Sequence, residues 1–131
     1  MKKYSFLTAT ITIILLLTMG TVSAAQGSGN ECVVTTTEDQ APSSLRDCLL
    51  NASSGLTILY DETDFPEYDP ARIMMESTLP DLSVGEIVID ASGVGVVLDG
   101  SNLNEGVGLH IVSSKNIIKG LQIVNFPNDG I

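Results

Sequence analysis

Short apolar segments separated by polar residues follow one another through most of the chain. After residue 55 no helical period continues, and segments rich in Val, Ile and Leu alternate with Gly, Asn, Asp, Ser and Pro. This pattern is typical of short strands joined by turns and predicts an all-β domain. The predicted strands cover residues 56–60, 73–75, 87–89, 96–98, 109–112 and 117–124.

One short amphipathic helix is predicted before these strands. Ser44 precedes Asp47 by three residues, which resembles a capping box with Asp in place of the usual Glu or Gln. Apolar side chains at helical spacing then share one face, which we expect to be buried. These side chains are Leu45, Cys48, Leu49 and Ala52. The helix is predicted to end at Gly55 and to follow a strand over residues 32–37.

The strand segments repeat weakly along the chain. Placing residues 87–93 above 109–115 aligns apolar with apolar positions at an offset of about 22 residues, and one insertion at Gly120 then matches Leu98 with Leu121. Such an offset fits one turn of a parallel β-helix, in which each turn buries its inward residues by stacking on the next. From the spacing alone, an ordinary β-sandwich is the competing interpretation.

Residues 1–24 have the order of a secretory signal peptide. Lys2 and Lys3 precede an apolar run over residues 6–19, and small residues follow, with cleavage expected after Ala24 or Ala25. The alternative, a retained anchor, would be shorter than the ~20 residues needed to span a bilayer. We therefore expect a secreted or cell-surface protein with no membrane span after cleavage.

The exported part is strongly acidic. The chain has 6 Lys and Arg against 16 Asp and Glu, and two of the 6 are Lys2 and Lys3, so four basic side chains accompany all 16 acidic ones. Such a surface repels phosphate backbones, which excludes nucleic-acid binding through counterion release.

The two cysteines are expected to form a disulfide. Cys32 and Cys48 enter an oxidising compartment if the chain is exported, and two thiols alone make a poor zinc site. A bridge would fasten the helix to the preceding strand and stabilise the fold by roughly 3 kcal/mol. Two buried free thiols are the alternative interpretation.

An acidic stretch between two predicted strands is a candidate calcium site. Its carboxylates are those of Asp61, Glu62, Asp64, Glu67 and Asp69. Oxygen-rich clusters bind calcium, but this spacing lacks the glycine and the terminal bidentate Glu of an EF-hand loop. A solvated loop is the favoured interpretation, and apart from calcium no cofactor is expected.

Three further residues are candidates for chemistry. Asp90 and Asp99 stand at strand ends, where paired carboxylates would suit glycoside hydrolysis, although Asp99 followed by Gly100 also suits a tight turn, which we favour. His110 lies between two apolar residues and should point away from the core, as a surface residue rather than a general base. The chain has no nucleophile elbow and no phosphate-binding glycine loop.

Several segments together resemble the N-terminal region of exported right-handed parallel β-helix repeat proteins with the pectin-lyase-like fold. They are residues 32–37, 43–52, 77–80, 88–90, 98–101 and 118–126, of which 43–52 is similar to the "SLREA"-type motif of those proteins. The resemblance covers residues 32–131. It implies a strand and capping helix over 25–55, followed over 56–131 by about two coils of a β-helix truncated at its C-terminus.

The resemblance does not assign an activity, because this fold hosts lyases, hydrolases, adhesins and other surface proteins. We expect a structural or binding module, carbohydrate-binding or adhesive, whose partner is an extracellular polysaccharide. The alternative is the N-terminal fragment of a polysaccharide lyase or glycoside hydrolase with its active site in later coils. Lyases of the family use basic side chains in a groove, and here only Lys115 and Lys119 are available, outside any matching motif. No catalytic residue is therefore assigned.

Overall fold

The computed structural model describes residues 30–131 as a parallel β-solenoid. The elements are β1 (Glu31–Val34), α1 (Leu45–Leu50), β2 (Thr57–Tyr60), β3 (Ala71–Met74), β4 (Val88–Asp90), β5 (Val96–Asp99), β6 (Ile117–Lys119) and β7 (Leu121–Val124). Sheet A has the order β1-β2-β4-β6 and sheet B the order β3-β5-β7, and all neighbours are parallel. The predicted parallel β-helix is thus confirmed, and the alternative of a β-sandwich was wrong. The four stacked strands of sheet A make about four turns, so the expected two was too few. The predicted signal peptide lies outside the described residues.

The strand register corrects the offset that the sequence suggested. In sheet A, Thr57 pairs with Glu31 and with Val88, which are 26 and 31 positions away. In sheet B, Leu98 pairs with Ile123 at an offset of 25, not with Leu121. The offset of about 22 was wrong because Val, Ile and Leu are interchangeable at inward positions, so an apolar alignment does not reveal turn length.

The core consists of apolar columns that run through the turns. In sheet A, Cys32, Ile58, Ile89 and Ile118 stack in register, and in sheet B Ile73, Leu98 and Ile123 do the same. Ile58, Ile89 and Leu98 have no exposed surface. Burying a side chain of this size contributes roughly 1.5–3 kcal/mol. Each turn therefore depends on its neighbours for its stability.

Helix α1 covers the first turn. The Ser44 hydroxyl accepts a hydrogen bond from the backbone N–H of Asp47 (3.1 Å), and the Asp47 carboxylate accepts from the N–H of Ser43 (2.9 Å), so the predicted cap is confirmed. The helix ends at Leu50, not at Gly55. It stops early because the Asn51 side chain bonds back to the Asp47 carbonyl (2.9 Å), and Gly55 lies in the following turn at φ +80°.

A disulfide joins this helix to β1. Cys32 and Cys48 are bonded, with their Cα atoms 5.8 Å apart, which is a usual separation for a disulfide. Leu45, Cys48 and Leu49 are buried, as the helical spacing predicted, and Ala52 packs against the core just beyond the helix. The predicted staple between strand and helix is present.

Two of the predicted strands differ in the structure. Residues 109–112 form no strand, because only Ile111 pairs there, in a single bridge to Leu82. Residues 117–124 divide into β6 and β7 at Gly120, whose φ is +78°. A Cβ at Gly120 would lie 2.4 Å from the Ala91 backbone, so this corner requires glycine. In the part of the chain from residue 30 onward, no helix has the length and apolar character needed to cross a membrane.

Candidate functional site

Loops of two successive turns form a groove along one side of the solenoid. Residues 75–87 connect β3 to β4, and residues 100–116 connect β5 to β6. Between these loops lie two depressions of about 300 Å³ each, which share Thr78 and which we together call the loop groove. Its polar half is lined by Glu76, Ser77, Thr78, Asn102, Leu103, Asn104 and Glu105. Its histidine half is lined by Thr78, Leu79, Asp81, Gly106, Val107 and His110.

Arg46, which lies on the capping helix, holds the first wall of the loop groove, formed by residues 75–87. Its guanidinium donates to both carboxylate oxygens of Asp39 (3.0 and 2.8 Å) and to the carbonyls of Ser77 and Thr78 (both 2.7 Å). Asp39 is buried and also accepts the backbone N–H of Glu76 (2.9 Å). Because such charge-assisted, bidentate bonds are strong, this wall is fixed before any ligand arrives.

The second wall, formed by residues 100–116, is held by residues 128–130. The Gly106 carbonyl accepts from the N–H of Asn128 (3.2 Å), and the N–H groups of Gly108 and Leu109 donate to the carbonyls of Asp129 and Gly130 (both 2.9 Å). Each wall is therefore tied by hydrogen bonds to a neighbouring part of the solenoid.

The two walls meet at Thr78 and Gly106. Gly106 has φ +108°, and a Cβ there would come within 2.1 Å of the Thr78 methyl group. A Cβ at this position would displace the Thr78 side chain, and the positive φ would strain any residue other than glycine. Glycine thus allows the two loops to come into contact between the two halves of the groove.

His110 faces the groove paired with an aspartate. Its Nδ1 lies 3.0 Å from Asp81 Oδ1, and 57% of each side chain is exposed. Leu109 is buried and Ile111 packs against the core, so the predicted outward orientation of His110 is confirmed. Asp81 engages Nδ1, which leaves Nε2 for a hydrogen bond to a ligand. The pairing was not predicted, because it joins two loops that are far apart in sequence.

The basic side chains within residues 30–131 are all engaged by carboxylates. The pairs are Arg46 with Asp39, Arg72 with Asp99, Lys115 with Glu86 (3.0 Å) and Lys119 with Asp90 (2.7 Å). The last three pairs connect neighbouring turns, and the bond from Lys115 lowers the pKa of Glu86. No Lys or Arg of this range lines the loop groove, whereas Glu76, Asp81 and Glu105 do.

Asp90 serves a turn at the end of β4. Its carboxylate accepts from the N–H of Ser92 (2.9 Å) and from Lys119 Nζ (2.7 Å). The bond from Lys119, followed by those from Ser92, lowers the pKa of Asp90 to about 2. A general acid of glycoside hydrolysis needs a raised pKa, so Asp90 has the opposite electrostatics.

Asp99 has a similar arrangement at the end of β5, in the other sheet. It is buried and accepts from the N–H of Ser101 (2.9 Å) and from Asn125 Nδ2 (3.0 Å), besides pairing with Arg72. Burial raises the pKa of Asp99, but these hydrogen bonds outweigh it and bring the pKa down to about 2. Both aspartates hold turns and neighbouring strands; the turn interpretation expected this of Asp99 and had not been made for Asp90.

The acidic stretch of the calcium hypothesis forms the connection between β2 and β3. Asp61 Oδ1 accepts the N–H of Thr63 (2.8 Å), and the bonds from Thr63 lower the pKa of Asp61. Phe65 is buried with its ring against Tyr60, at 5.2 Å between centroids, while Tyr68 is 94% exposed. Among residues 30–131, no three His, Cys, Asp or Glu side chains are arranged to hold a metal ion. The five candidate carboxylates are not brought together as one ligand set.

Sequence reasoning missed the polar half of the loop groove. Asn102, Asn104 and Glu105 belong to no local motif, and Glu76 stands outside the segments that carried the resemblance. The useful signal would have been the true register of the turns, which brings residues 76–81 beside 102–110.

No family model, curated protein or solved structure matches the chain.

Proposed function

We propose that the protein is an exported β-solenoid of the pectin-lyase-like class that binds an extracellular polysaccharide in the loop groove without cleaving it. The observation that carries this proposal is the groove lining, in which carboxylates, amides and hydroxyls from two turns converge on one depression. Carboxylates accept hydrogen bonds, whereas amides and hydroxyls both donate and accept them, as the hydroxyls of a sugar do. Such a lining suits a ligand made of many hydroxyl groups.

The size and rigidity of the groove also support glycan binding. Each half has about 300 Å³, at the lower end of the range for ligand pockets, and the two halves adjoin at Thr78. Each half can hold sugar units on its own side of the contact between Thr78 and Gly106. Because Arg46 and the last turn hold the walls, little ordering of the protein accompanies binding, which favours affinity.

Binding is favoured over cleavage by the electrostatics of the candidate acids. Asp90 and Asp99 lie in different sheets and have pKa values lowered to about 2. Neither provides the protonated carboxylic acid that glycoside hydrolysis needs near neutral pH.

The test of this proposal is retention by soluble polysaccharides. The full chain is recovered from the cells that export it and run through gels containing neutral, acidic or amino polysaccharides. We expect retention by at least one polymer, with no new reducing ends and no unsaturated products. The double variant Asn102→Ala, Asn104→Ala should lose retention, whereas Gln122→Ala, which changes an exposed amide on β7, should keep it.

Two results would contradict this function. One is the absence of retention by every polymer in the panel, and the other is retention that the asparagine variant leaves unchanged. Cleavage of a retained polymer would replace the binding module with an enzyme.

Export has its own test. Sequencing the N-terminus of the mature protein should give Ala25 or Gln26, as cleavage after Ala24 or Ala25 requires. A mature chain that still begins at Met1 or Lys2 would contradict export by signal cleavage.

A further inference from the structure

The loop groove has an unbalanced charge. Glu76 and Glu105 line its polar half and Asp81 lines its histidine half, but no Lys or Arg of residues 30–131 lines either half. The Glu76 carboxylate accepts from the neutral amide of Gln40 (2.9 Å), and His110 is the only titratable donor to Asp81 in the described part of the chain. Three acidic side chains and no Lys or Arg of this range thus line the groove, which gives its lining a negative formal charge.

The cations that would be needed for an acidic ligand are occupied elsewhere. Arg46 and Arg72 are held by the buried carboxylates of Asp39 and Asp99. Lys115 and Lys119 pair with carboxylates of the preceding turn. An anionic sugar in the groove would meet like charges and would have to break one of these pairs to find a counterion.

A protonated amine has the complementary properties. It presents three N–H donors and one positive charge, so it satisfies carboxylate acceptors and gains Coulomb attraction from them. The hydroxyls of the same sugar would bond to the amides of Asn102 and Asn104, which line the same half. The groove thus contains separate partners for the charged and the neutral groups of an amino sugar.

We propose that the loop groove selects polysaccharides that carry free amino groups over those that carry uronic acids. The proposal rests on the function proposed above and specifies the chemical class of its ligand. The selectivity comes from Glu76 and Glu105, while the general affinity for sugars comes from the amides and hydroxyls.

The experiment compares three hexamers on the full chain by titration calorimetry at about pH 5.5, where the amines of the sugars are protonated and the carboxylates of galacturonate are ionised. The first is β-1,4-linked N-acetylglucosamine, the second is the same hexamer without its acetyl groups, and the third is a galacturonate hexamer. We expect the free-amine hexamer to bind about tenfold more tightly than the acetylated one. Its advantage should decrease as salt is added, because the attraction is screened.

Single substitutions test which side chains produce the selectivity for free amines. Glu76→Gln and Glu105→Gln keep the shape of the side chains and remove one charge each, so each should lower the free-amine advantage several-fold. Glu62→Gln removes one charge from the exposed loop between β2 and β3, outside the groove, and should leave the advantage unchanged. Melting curves of all variants verify that they are folded.

The outcomes separate this inference from the proposed function. Equal affinity for the acetylated and free-amine hexamers would overturn the inference, as would tighter binding of galacturonate. In those cases, loss of binding in the Asn102→Ala, Asn104→Ala variant would still support a glycan groove. Binding of none of the hexamers, together with no retention in the polysaccharide gels, would remove both proposals.

Discussion

The first and last turns of the solenoid contain the same kinds of residues in different surroundings. Ile58 in β2 has no exposed surface, whereas Ile118, which stands in the same column in β6, is only partly buried. The first turn is covered by α1 and fastened by the disulfide and by the Arg46–Asp39 pair. Within residues 30–131, β6 and β7 have a strand neighbour on one side only. A residue's contribution in such a fold therefore depends on what lies above and below it.

Ion pairs show the same contrast. Arg46 and Asp39 are 13% and 1% exposed at the first turn, whereas Lys115 and Glu86 are 73% and 51% exposed near the last. The buried pair also supports the wall of the loop groove through two backbone carbonyls. The capped end therefore stabilises both the core and the candidate site.

The largest expected effect comes from the buried ion pair. Arg46→Met should lower the free energy of unfolding by about 3–5 kcal/mol, because it leaves the Asp39 carboxylate buried without its counterion. Lys115→Met, the matched change at the exposed pair, should lower it by only a small fraction of that amount, because water screens exposed charges. Urea denaturation measures both. Similar losses of unfolding free energy in the two variants would contradict the proposed difference between the two ends of the solenoid.

The next largest loss of stability is expected from the apolar column of sheet A. Ile58→Ala should destabilise by about 2–5 kcal/mol, since it opens a cavity in a fully buried column. Ile117→Ala removes the same atoms from an exposed position and should cost less than about 0.5 kcal/mol. Thermal and urea unfolding of the pair test this. A large loss at Ile117 would mean that its exposed side chain is covered in solution.

The disulfide is expected to contribute a comparable free energy to the stability of the first turn. Cys32 and Cys48 are 16 residues apart, and a loop of this size is stabilised by about 3 kcal/mol in the chain-entropy model. The double variant Cys32→Ala, Cys48→Ala should lose about this amount in urea denaturation. Reducing agent should lower the stability of the parent protein and leave the variant unchanged. If the parent does not respond to reduction, the bridge contributes nothing to its stability.

A smaller effect is expected to increase stability. The Tyr60 hydroxyl is buried without a hydrogen-bond partner in the described part of the chain, and burial raises the pKa of its phenol. Tyr60→Phe removes an unsatisfied polar group and should stabilise the protein by about 1 kcal/mol. Tyr68→Phe, at a side chain that is 94% exposed, should change nothing measurable. A loss of stability in Tyr60→Phe would mean that the hydroxyl has a partner.

The last effect depends on pH. The pKa of Asp99 is lowered to about 2, so its contribution to stability is present above its unfolded pKa of 3.8 and decreases as the pH falls from there toward 2. Asp99→Asn removes the ionisable group. The difference in stability between the parent and this variant should therefore narrow as the pH falls from about 5 to 2. Chemical denaturation at a series of pH values measures it, and a constant difference would contradict the lowered pKa.

Local signals in the sequence predicted much of the fold, because they act within one element. The cap at Ser44, the buried face with Leu45 and Leu49, and the bond between Cys32 and Cys48 depend on neighbouring positions or on composition. The strand positions were also recognised to within one or two residues in most cases. Residues 109–112 failed because an apolar run was taken for a strand where only Ile111 pairs.

The candidate site could not be predicted, because it depends on register. Glu76 and Glu105 meet only when one turn lies above the other with the correct offset. Arg46 illustrates the same limit, since its partners Ser77 and Thr78 are more than 30 positions away. Nothing in the local pattern distinguishes these polar residues from ordinary loop residues. Their roles arise from stacking of turns whose lengths vary.

The constant register of sheet B has a consequence for how the cross-section changes along the solenoid. Val88 follows Ala71 by 17 positions and precedes Val96 by eight, whereas in the next turn Ile117 follows Val96 by 21 positions and precedes Leu121 by four. Both turns therefore contain the same number of residues. They differ in how these residues are divided between the two connections that join the sheets. The loop that forms the second wall of the groove is longer, and the corner at Gly120 is shorter by the same number of residues. A redesign that lengthens the second wall and keeps the offset of 25 residues in sheet B would shorten the chain at that opposite corner.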